Sequence, residues 1–457
     1  MTTAREENAR TLAAAIGITE EAAEQLLDAT VLVTCAPGGE RLAGYIERLL
    51  ARTLTKVTSD PSCAPCVEVV VGKAAQRSNA RVINVGVDAY RILVTEQPMP
   101  LGPRARPIVE LVAACYASAA AVQRAINAEF PVQVRMPIDL DLATLYGDAI
   151  SRLDGRIDLD VSYMAGAGAI GNAVLAGFSM LDVHGELHVC DPDNTSDGNL
   201  NRCWWFESDD LGLHKAERLE QKAQGALPHL RLVPHVATLH DTVESLGKPL
   251  ETLIVGVDSP RARRSLQSEM PRRVFDASTS GIVEFVMHFN ETPSSLACMS
   301  CIYYEAPDEF AHEEHIAELL GVSIADVRSN FVTPEAAKKI AEAHPGLDPA
   351  NLEGQAYSSL FKQHCGKGPI RSGTADRVLA PFGFVSVLAG VMLAIEIALR
   401  VSGSPPEYNY WRIGPWSSPV VRMRETRSKR WDCEFCGNPT LQSVANELWN
   451  TSRRNGI

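Results

Sequence analysis

The sequence predicts an α/β protein with a doubly wound, mostly parallel sheet, and three observations carry that reading. Between residues 157 and 300, short apolar runs of strand length alternate with helix-length periodic segments. One such run is followed by the glycine turn Gly166-Ala167-Gly168-Ala169-Ile170-Gly171 and then by a helical pattern, the order that presents a helix N-terminus to a phosphate. The next run ends on Cys190-Asp191-Pro192-Asp193, which places acids at a strand's carboxyl end, where open α/β sheets bind their ligands. At 457 residues the chain exceeds the usual size of one domain, so two units, or one enlarged unit, are expected.

Taken in order, residues 1–28 read as helix, with Thr19 placed to cap the segment from Glu20 to Ala29. Val31 to Cys35 reads as strand, Ala36 to Glu40 as a glycine turn and Arg41 to Thr55 as helix. This repeats the order of the later glycine-turn unit without its phosphate fingerprint. Cys66 to Val71 and Arg81 to Gly86 read as strands, and Pro107 to Asn127 as an alanine-rich apolar helix comparable to Ala380 to Arg400. Residues 1–150 are therefore expected to be a degenerate copy of the half that follows.

In residues 151–457, strands are expected over Leu159 to Met164, Glu186 to Cys190, Leu230 to Pro234 and Thr252 to Val257, with helices opening at Ala169 and Leu213. From about 303 to 375 the strand signal stops. Helical, charged text replaces it, over Glu313 to Leu320, Ile324 to Phe331 and a capped start at Thr333-Pro334-Glu335-Ala336, so an insertion is expected. The apolar run Val378 to Ile395 has about the minimum length to span a bilayer. It contains Pro381 and ends at Glu396, and is expected as a buried helix, not a membrane span. A short helix is expected in the polar tail, over Leu441 to Trp449.

Composition bounds the partners. Apolar residues make up 46% and charged residues 22%, and the formal charge of −13 argues against a nucleic-acid or anionic-membrane surface. Proteins and small molecules are the expected partners. The opening MTTAREENARTLAAAIG mixes charges and has no uninterrupted apolar stretch, so it does not read as a secretory signal, and a cytoplasmic location is expected. Eleven cysteines include the pairs Cys298/Cys301 and Cys433/Cys436. In a reducing compartment such pairs read as metal ligands before disulfides, and four thiolates suit a closed tetrahedral zinc site. Cys63 and Cys66 have the same spacing but no partner pair.

The downstream polar train narrows the chemistry. After the glycine turn and Asp191 come Asp193, Asn199-Leu200-Asn201-Arg202 and Lys215, with Asp258 closing the run Leu253 to Val257. If the ligand is ATP, the N–H groups after Gly166 hold phosphates, Asp191 accepts ribose hydroxyls and Asp193 orients the loop. Arg202 and Lys215 neutralise the α-phosphate, and Asp258 holds Mg2+. Taken singly, Arg202 and Lys215 would pass as surface ion pairs and Asp258 as the cap of the helix starting at Pro260; their joint order favours the nucleotide. The glycine turn and Asp191 alone would also admit an NAD-dependent oxidoreductase, but hydride transfer has no use for the arginine and lysine. A non-catalytic scaffold is disfavoured by the same two residues and the cysteine quartet.

These residues resemble the ThiF, MoeB and ubiquitin-activating enzyme superfamily over roughly residues 150 to 437. The resemblance rests on Gly166/Gly168/Gly171, Asp191/Asp193, Asn199 to Arg202, Gly212 to Lys215, Asp258 and the two cysteine pairs. Cys203 stands where the family usually has Gln. The resemblance implies a Rossmann-like ThiF fold. Residues 1–150 would form an inactive adenylation-like domain and 151–457 an active one, carrying a catalytic-cysteine insertion and a zinc site that closes near 433–436. The implied activity is that of a bacterial enzyme activating a ubiquitin-like protein, with an antiviral context. It would adenylate that protein's C-terminal carboxylate, form a thioester on Cys365 and pass it to a conjugating enzyme. Cys365, flanked by His364 and Lys367, is the candidate nucleophile, with Cys203 next. The resemblance further implies a homodimer built on the apolar helices and a partner arginine at the phosphates, for which Arg5 and Arg10 are candidates. The alternative within the family is a ThiF- or MoeB-like adenylyltransferase serving sulfur transfer to a cofactor.

Overall fold

Thr3 and Thr19 each accept a first-turn backbone N–H, so the chain opens with two helices, α1 (Ala4–Ile16) and α2 (Glu20–Leu27). Gly17, at φ 75°, ends α1 in the left-handed conformation, and Thr19 caps α2 as expected. The computed structural model describes residues 3–126, 130, 132–304, 309–329, 331–357, 360–361, 380–403, 408–420 and 423–454.

Two sheets follow. The first contains β1 (Thr30–Cys35), β2 (Lys56–Thr58), β3 (Val67–Val71), β4 (Arg81–Asp88), β5 (Arg91–Thr95) and β6 (Ile138–Asp141), in the order β2-β1-β3-β4-β5-β6. Helices α3 (Glu40–Ala51) and α4 (Pro107–Ile126) belong to it, and α5 (Leu142–Tyr146) leaves it. The second contains β7 (Ile157–Ala165), β8 (Val183–Cys190), β9 (Leu230–His235), β10 (Thr252–Val255), β11 (Arg273–Ser280), β12 (Glu284–Glu291), β13 (Tyr410–Ile413) and β14 (Arg424–Glu425). Its order is β14-β13-β12-β11-β10-β7-β8-β9. Helices α6 (Ala169–Phe178), α7 (Lys215–Ala223), α8 (Leu239–Leu246), α9 (Pro260–Ser268) and α10 (Met299–Ile302) connect its strands.

The two sheets share a path. In each, the first strand leads through a helix, α3 or α6, to a parallel neighbour on one side, β2 or β8. On the other side come two further parallel strands, β3 and β4 or β10 and β11. An antiparallel strand follows, then a long apolar helix, then a second antiparallel strand. The antiparallel ends have no clear foreshadowing in the sequence. The parallel halves do, because strands buried on both faces read as plain apolar runs.

Helices α11 (Glu309–Leu320), α12 (Ile324–Arg328), α13 (Pro334–Ala343) and α14 (Pro349–Leu352) form the insertion, which has its own core around Leu320, Ile340, Leu360 and Phe361. The chain returns through α15 (Gly383–Val401) and closes with α16 (Pro439–Arg454).

The centre of the molecule is the contact of α15 with α6 and with α4, inside one core that spans both sheets. A side chain on Gly177 would come within 2.6 Å of Ala394 Cβ, and one on Gly390 would overlap Ala173, so small residues set the closeness of the α6–α15 crossing. Both α4 and α15 are long and apolar enough to cross a membrane by length alone, yet 89% of each apolar window is buried within the protein. Glu396, buried on α15, is held by Arg400 at 3.0 Å and by the hydroxyls of Tyr408 (2.6 Å) and Tyr146 (3.1 Å). The helices on which the homodimer expectation rested therefore cover one another inside a single chain.

Candidate active site

The glycine turn leaves β7 at Gly166, whose φ of 99° is open to glycine but strained for other residues. A side chain at Gly171 would overlap the Gly166 carbonyl, and Gly256, after β10, lies against the Gly171 backbone. The turn is thereby pressed onto the loop that carries Asp258. Gly168 is the N-cap of α6, no side chain caps it, and a Cβ placed there meets nothing within 4 Å. The helix therefore starts with no side-chain cap and with room beside Gly168, an arrangement that suits a phosphate.

Asp191, at the end of β8, is buried against this turn. Its carboxylate accepts the N–H of Ala167 at 2.7 Å and of Asp193 at 2.9 Å. Burial pushes its pKa up to about 6 even though Lys215 pulls the other way. Asp193 Oδ2 lies 2.9 Å from Lys215 Nζ, and Asp193 Oδ1 accepts the N–H of Ala356 in the helical insertion at 2.9 Å. Burial works against the Lys215 ammonium, but the carboxylates of Asp193 and Asp191 outweigh it and hold the pKa above the ordinary value. Lys215 is not a surface ion pair.

Arg202 is held on its own loop, donating to Gly198 O at 2.7 Å and Asn201 Oδ1 at 2.8 Å. Asn199 accepts the N–H of Ser196 at 3.0 Å and shapes the short turn before Arg202. Asp258 is exposed on the loop after β10, and Ser259, not Asp258, caps α9. Cys203 is buried, and burial raises its thiol pKa despite Arg202, Lys215 and Arg52 nearby, so it makes a poor thiolate. Cys365, with His364 and Lys367, lies outside the described residues. Arg5 pairs with Glu24 and Asp28, and Arg10 with Glu7 and Glu20, which ties both to α1 and α2.

Sequence reasoning missed three residues here. Asn172 donates to Ala167 O (2.8 Å) and Gly168 O (3.0 Å) and accepts the Trp205 N–H (2.9 Å), joining the glycine turn to the Arg202 loop. Arg48 and Arg52, from α3 and its C-cap, reach the same loop from the N-terminal unit. Their partners are main-chain carbonyls, which leave no signature in a sequence.

Cys298, Cys301, Cys433 and Cys436 converge, with all four Sγ atoms within 4.8 Å of one another and Cys298 Sγ 3.7 Å from those of Cys301 and Cys433. Thiolates at about 2.3 Å from a central zinc stand roughly 3.8 Å apart at tetrahedral corners, so the quartet fits that ion. Backbone N–H groups of Arg430 and Cys436 point at Cys301 and Cys433 Sγ at 3.4 Å, as thiolate ligands require. Another group, Asp182, His184 and His229, also lies close together. There the imidazoles stack 4.5 Å apart with planes 6° from parallel, and parallel rings cannot both aim a nitrogen lone pair at one ion. Cys66 donates its thiol to Thr30 O, and Cys63 sits exposed in a short turn.

The sheet path is that of a doubly wound α/β protein, and the family match places it in the E1-like adenylyltransferase class. The chain belongs to the ThiF family, which it matches over residues 161–435, and residues 1–147 match the E1 N-terminal domain. An uncharacterized protein, y4jF, of Sinorhizobium fredii (strain NBRC 101917 / NGR234) is 26% identical over 396 residues, covering 79% of this chain and 73% of that one. The NEDD8-activating enzyme E1 catalytic subunit of Saccharomyces cerevisiae is 26% identical over 153 residues, 32% of this chain and 51% of its own length. Its Drosophila melanogaster counterpart is 31% identical over 150 residues, 30% and 33% of the respective lengths. The matches thus span about half and a third of those two subunits. Among solved structures, E. coli MccB is 14% identical, with a TM-score of 0.40 over 78% of this chain and 95% of that one.

Proposed function

We propose that this chain adenylates the C-terminal carboxylate of a ubiquitin-like protein and then holds the acyl group as a thioester for a conjugating enzyme. The observation that carries the reading is the buried Lys215–Asp193 pair set beside Asp191 and the uncapped start of α6, with Arg202 on the adjoining loop. In the first step a carboxylate oxygen attacks the α-phosphorus of ATP and pyrophosphate leaves. Lys215 and Arg202 offset the charge that accumulates on the phosphate oxygens, and the N–H groups after Gly168 bind a phosphate. Asp191 accepts ribose hydroxyls. Asp258 would hold Mg2+, which supplies further charge neutralisation on the phosphates.

In the second step a thiolate attacks the acyl carbonyl and AMP leaves. Cys365 is proposed as that nucleophile because, in the family the chain resembles, the thioester cysteine lies between the first cysteine pair and the apolar helix, where Cys365 stands in the sequence; the buried Cys203 is unsuited. The ubiquitin-like substrate is supported by the E1 N-terminal match and by the activating-enzyme relatives. An insertion with its own core, tied to the nucleotide site through Asp193, supports conjugation over the simpler sulfur-transfer role. Zn2+ in the cysteine quartet is proposed as structural, pinning α10 to the start of α16.

The N-terminal unit is proposed as a silent partner. Its turn at Gly39 is crowded by Val71 and Leu101, each near 3 Å from a hypothetical Cβ, whereas Gly168 faces open space. It meets α15 through α4, which supports pairing of the two units within one chain. The test is ATP–pyrophosphate exchange with purified candidate ubiquitin-like proteins. Exchange that needs a free C-terminal carboxylate supports the proposal. No exchange with any of them, alongside exchange with a small-molecule acid, would reassign the substrate.

A further inference from the structure

Arg52 belongs to the N-terminal unit, yet its guanidinium is inserted into the loop that carries Arg202. Its Nη1 donates to Leu200 O, and its Nη2 to Trp204 O and Phe206 O at 3.1 Å each. Carbonyls on both sides of Arg202 are thereby held by one side chain. Arg48, one turn earlier on α3, donates to Trp204 O at 2.5 Å and lies over the Trp204 ring at 4.3 Å. The main chain of Arg52 closes the circuit: its carbonyl accepts from Asn8 Nδ2 at 2.7 Å, Asn8 Oδ1 accepts from Asn201 Nδ2 at 2.9 Å, and Asn201 Oδ1 accepts from Arg202.

A guanidinium in this position is costly. Among the described residues the hydrogen-bond partners of the Arg52 guanidinium are backbone carbonyls, and its Nε is buried without a hydrogen-bond partner. Burial, reinforced by the like charge of Arg48, presses its pKa down to about 10. Packing alone would be served by an apolar side chain of similar length. A planar fork that grips three carbonyls is what only arginine supplies.

We propose that Arg52 is a positioning residue that fixes the Arg202 loop in its nucleotide-binding shape, which makes the otherwise silent N-terminal unit necessary for adenylation. This rests on the nucleotide reading above. It acts through Arg202, so the two side chains should be coupled and not additive.

Mg-ATP binding by calorimetry on the full chain tests it, comparing wild type, Arg52→Met, Arg202→Ala and the double variant. Arg52→Met is expected to weaken binding about 10- to 100-fold, the range for lost supporting contacts, with no further loss when added to Arg202→Ala. Arg52→Lys, which reaches fewer carbonyls, is expected to fold and to show an intermediate loss. In it, amide hydrogen exchange should speed up over residues 200–206 and stay as in wild type in β7 and α6. Wild-type affinity in both Arg52 variants would overturn the inference while leaving the nucleotide reading intact. So would losses that simply multiply in the double variant. A wild-type chain that binds no Mg-ATP would overturn the nucleotide reading, and this inference with it.

Discussion

Lys215 Nζ sits 2.9 Å from Asp193 Oδ2 with both side chains buried, so the cation proposed to act on the phosphate is also the counter-ion of a carboxylate that accepts a backbone N–H from the helical insertion. Removing one member of a buried pair strands the other charge, at a cost of about 3–5 kcal/mol. Lys215→Met is therefore expected to lose about 3 kcal/mol in urea unfolding. Adding Asp193→Asn, which keeps an acceptor for the Ala356 N–H, should recover most of that stability. Pyrophosphate exchange should stay absent in both proteins. Recovered exchange in the double variant would show that Lys215 serves folding alone.

Asp191 gives the site a pH dependence with a defined sign. Its carboxyl is raised by burial to about 6 from an ordinary value of 3.8. Above that pH both oxygens accept N–H groups and can take ribose hydroxyls; below it, one oxygen carries a proton and loses that capacity. Mg-ATP affinity is expected to fall as pH drops from 7 to 5. Stability moves the opposite way. The native state takes up this proton more readily than the unfolded chain, so this group's contribution to stability is present below 3.8 and is lost as pH rises through about 6. Asp191→Asn should bind weakly at every pH and lack the dependence across that window.

The parallel strands and the packing of Asp191 on the glycine turn were legible because local patterns encode them: apolar runs, a glycine turn, acids at strand ends. β11 and β12 were not. They carry buried polar residues, Asp276, paired with Arg263, and His288, whose Nε2 lies 2.9 Å from the Ala297 carbonyl, and these break the apolar pattern a reader looks for. The link from Arg52 to residues 200–206 was hidden for a related reason, since the loop contributes only backbone to it. The shared order of elements in the two sheets was legible from the sequence. That Leu101 fills the Gly39 turn needed coordinates.

Metal content follows from the cysteine quartet. Purified protein is expected to hold zinc at about one per chain, because a tetrathiolate of this size is closed to further ligands. Cys433→Ser should lose the metal and unfold at lower temperature, as should wild type treated with a strong chelator, since binding energy at such a site is folding energy. Unchanged zinc in Cys433→Ser protein would remove the assignment.

The two chemical steps should separate by mutation. Arg202→Ala and Asp258→Ala are each expected to lower pyrophosphate exchange by about 10² to 10³, the usual loss for a charge-stabilising contact at the reacting group. Cys365→Ala leaves those residues in place, so exchange should persist while the thiol-sensitive adduct with the ubiquitin-like protein disappears. Cys203→Ala is expected to retain the adduct, because its thiol is buried and held protonated. An adduct that survives Cys365→Ala would place the nucleophile on a different cysteine, and among the described residues Cys35, Cys63 and Cys66 are exposed. If the wild-type protein adenylates its partner but never forms an adduct, the sulfur-transfer role becomes the better reading, since it needs the adenylate and not the thioester.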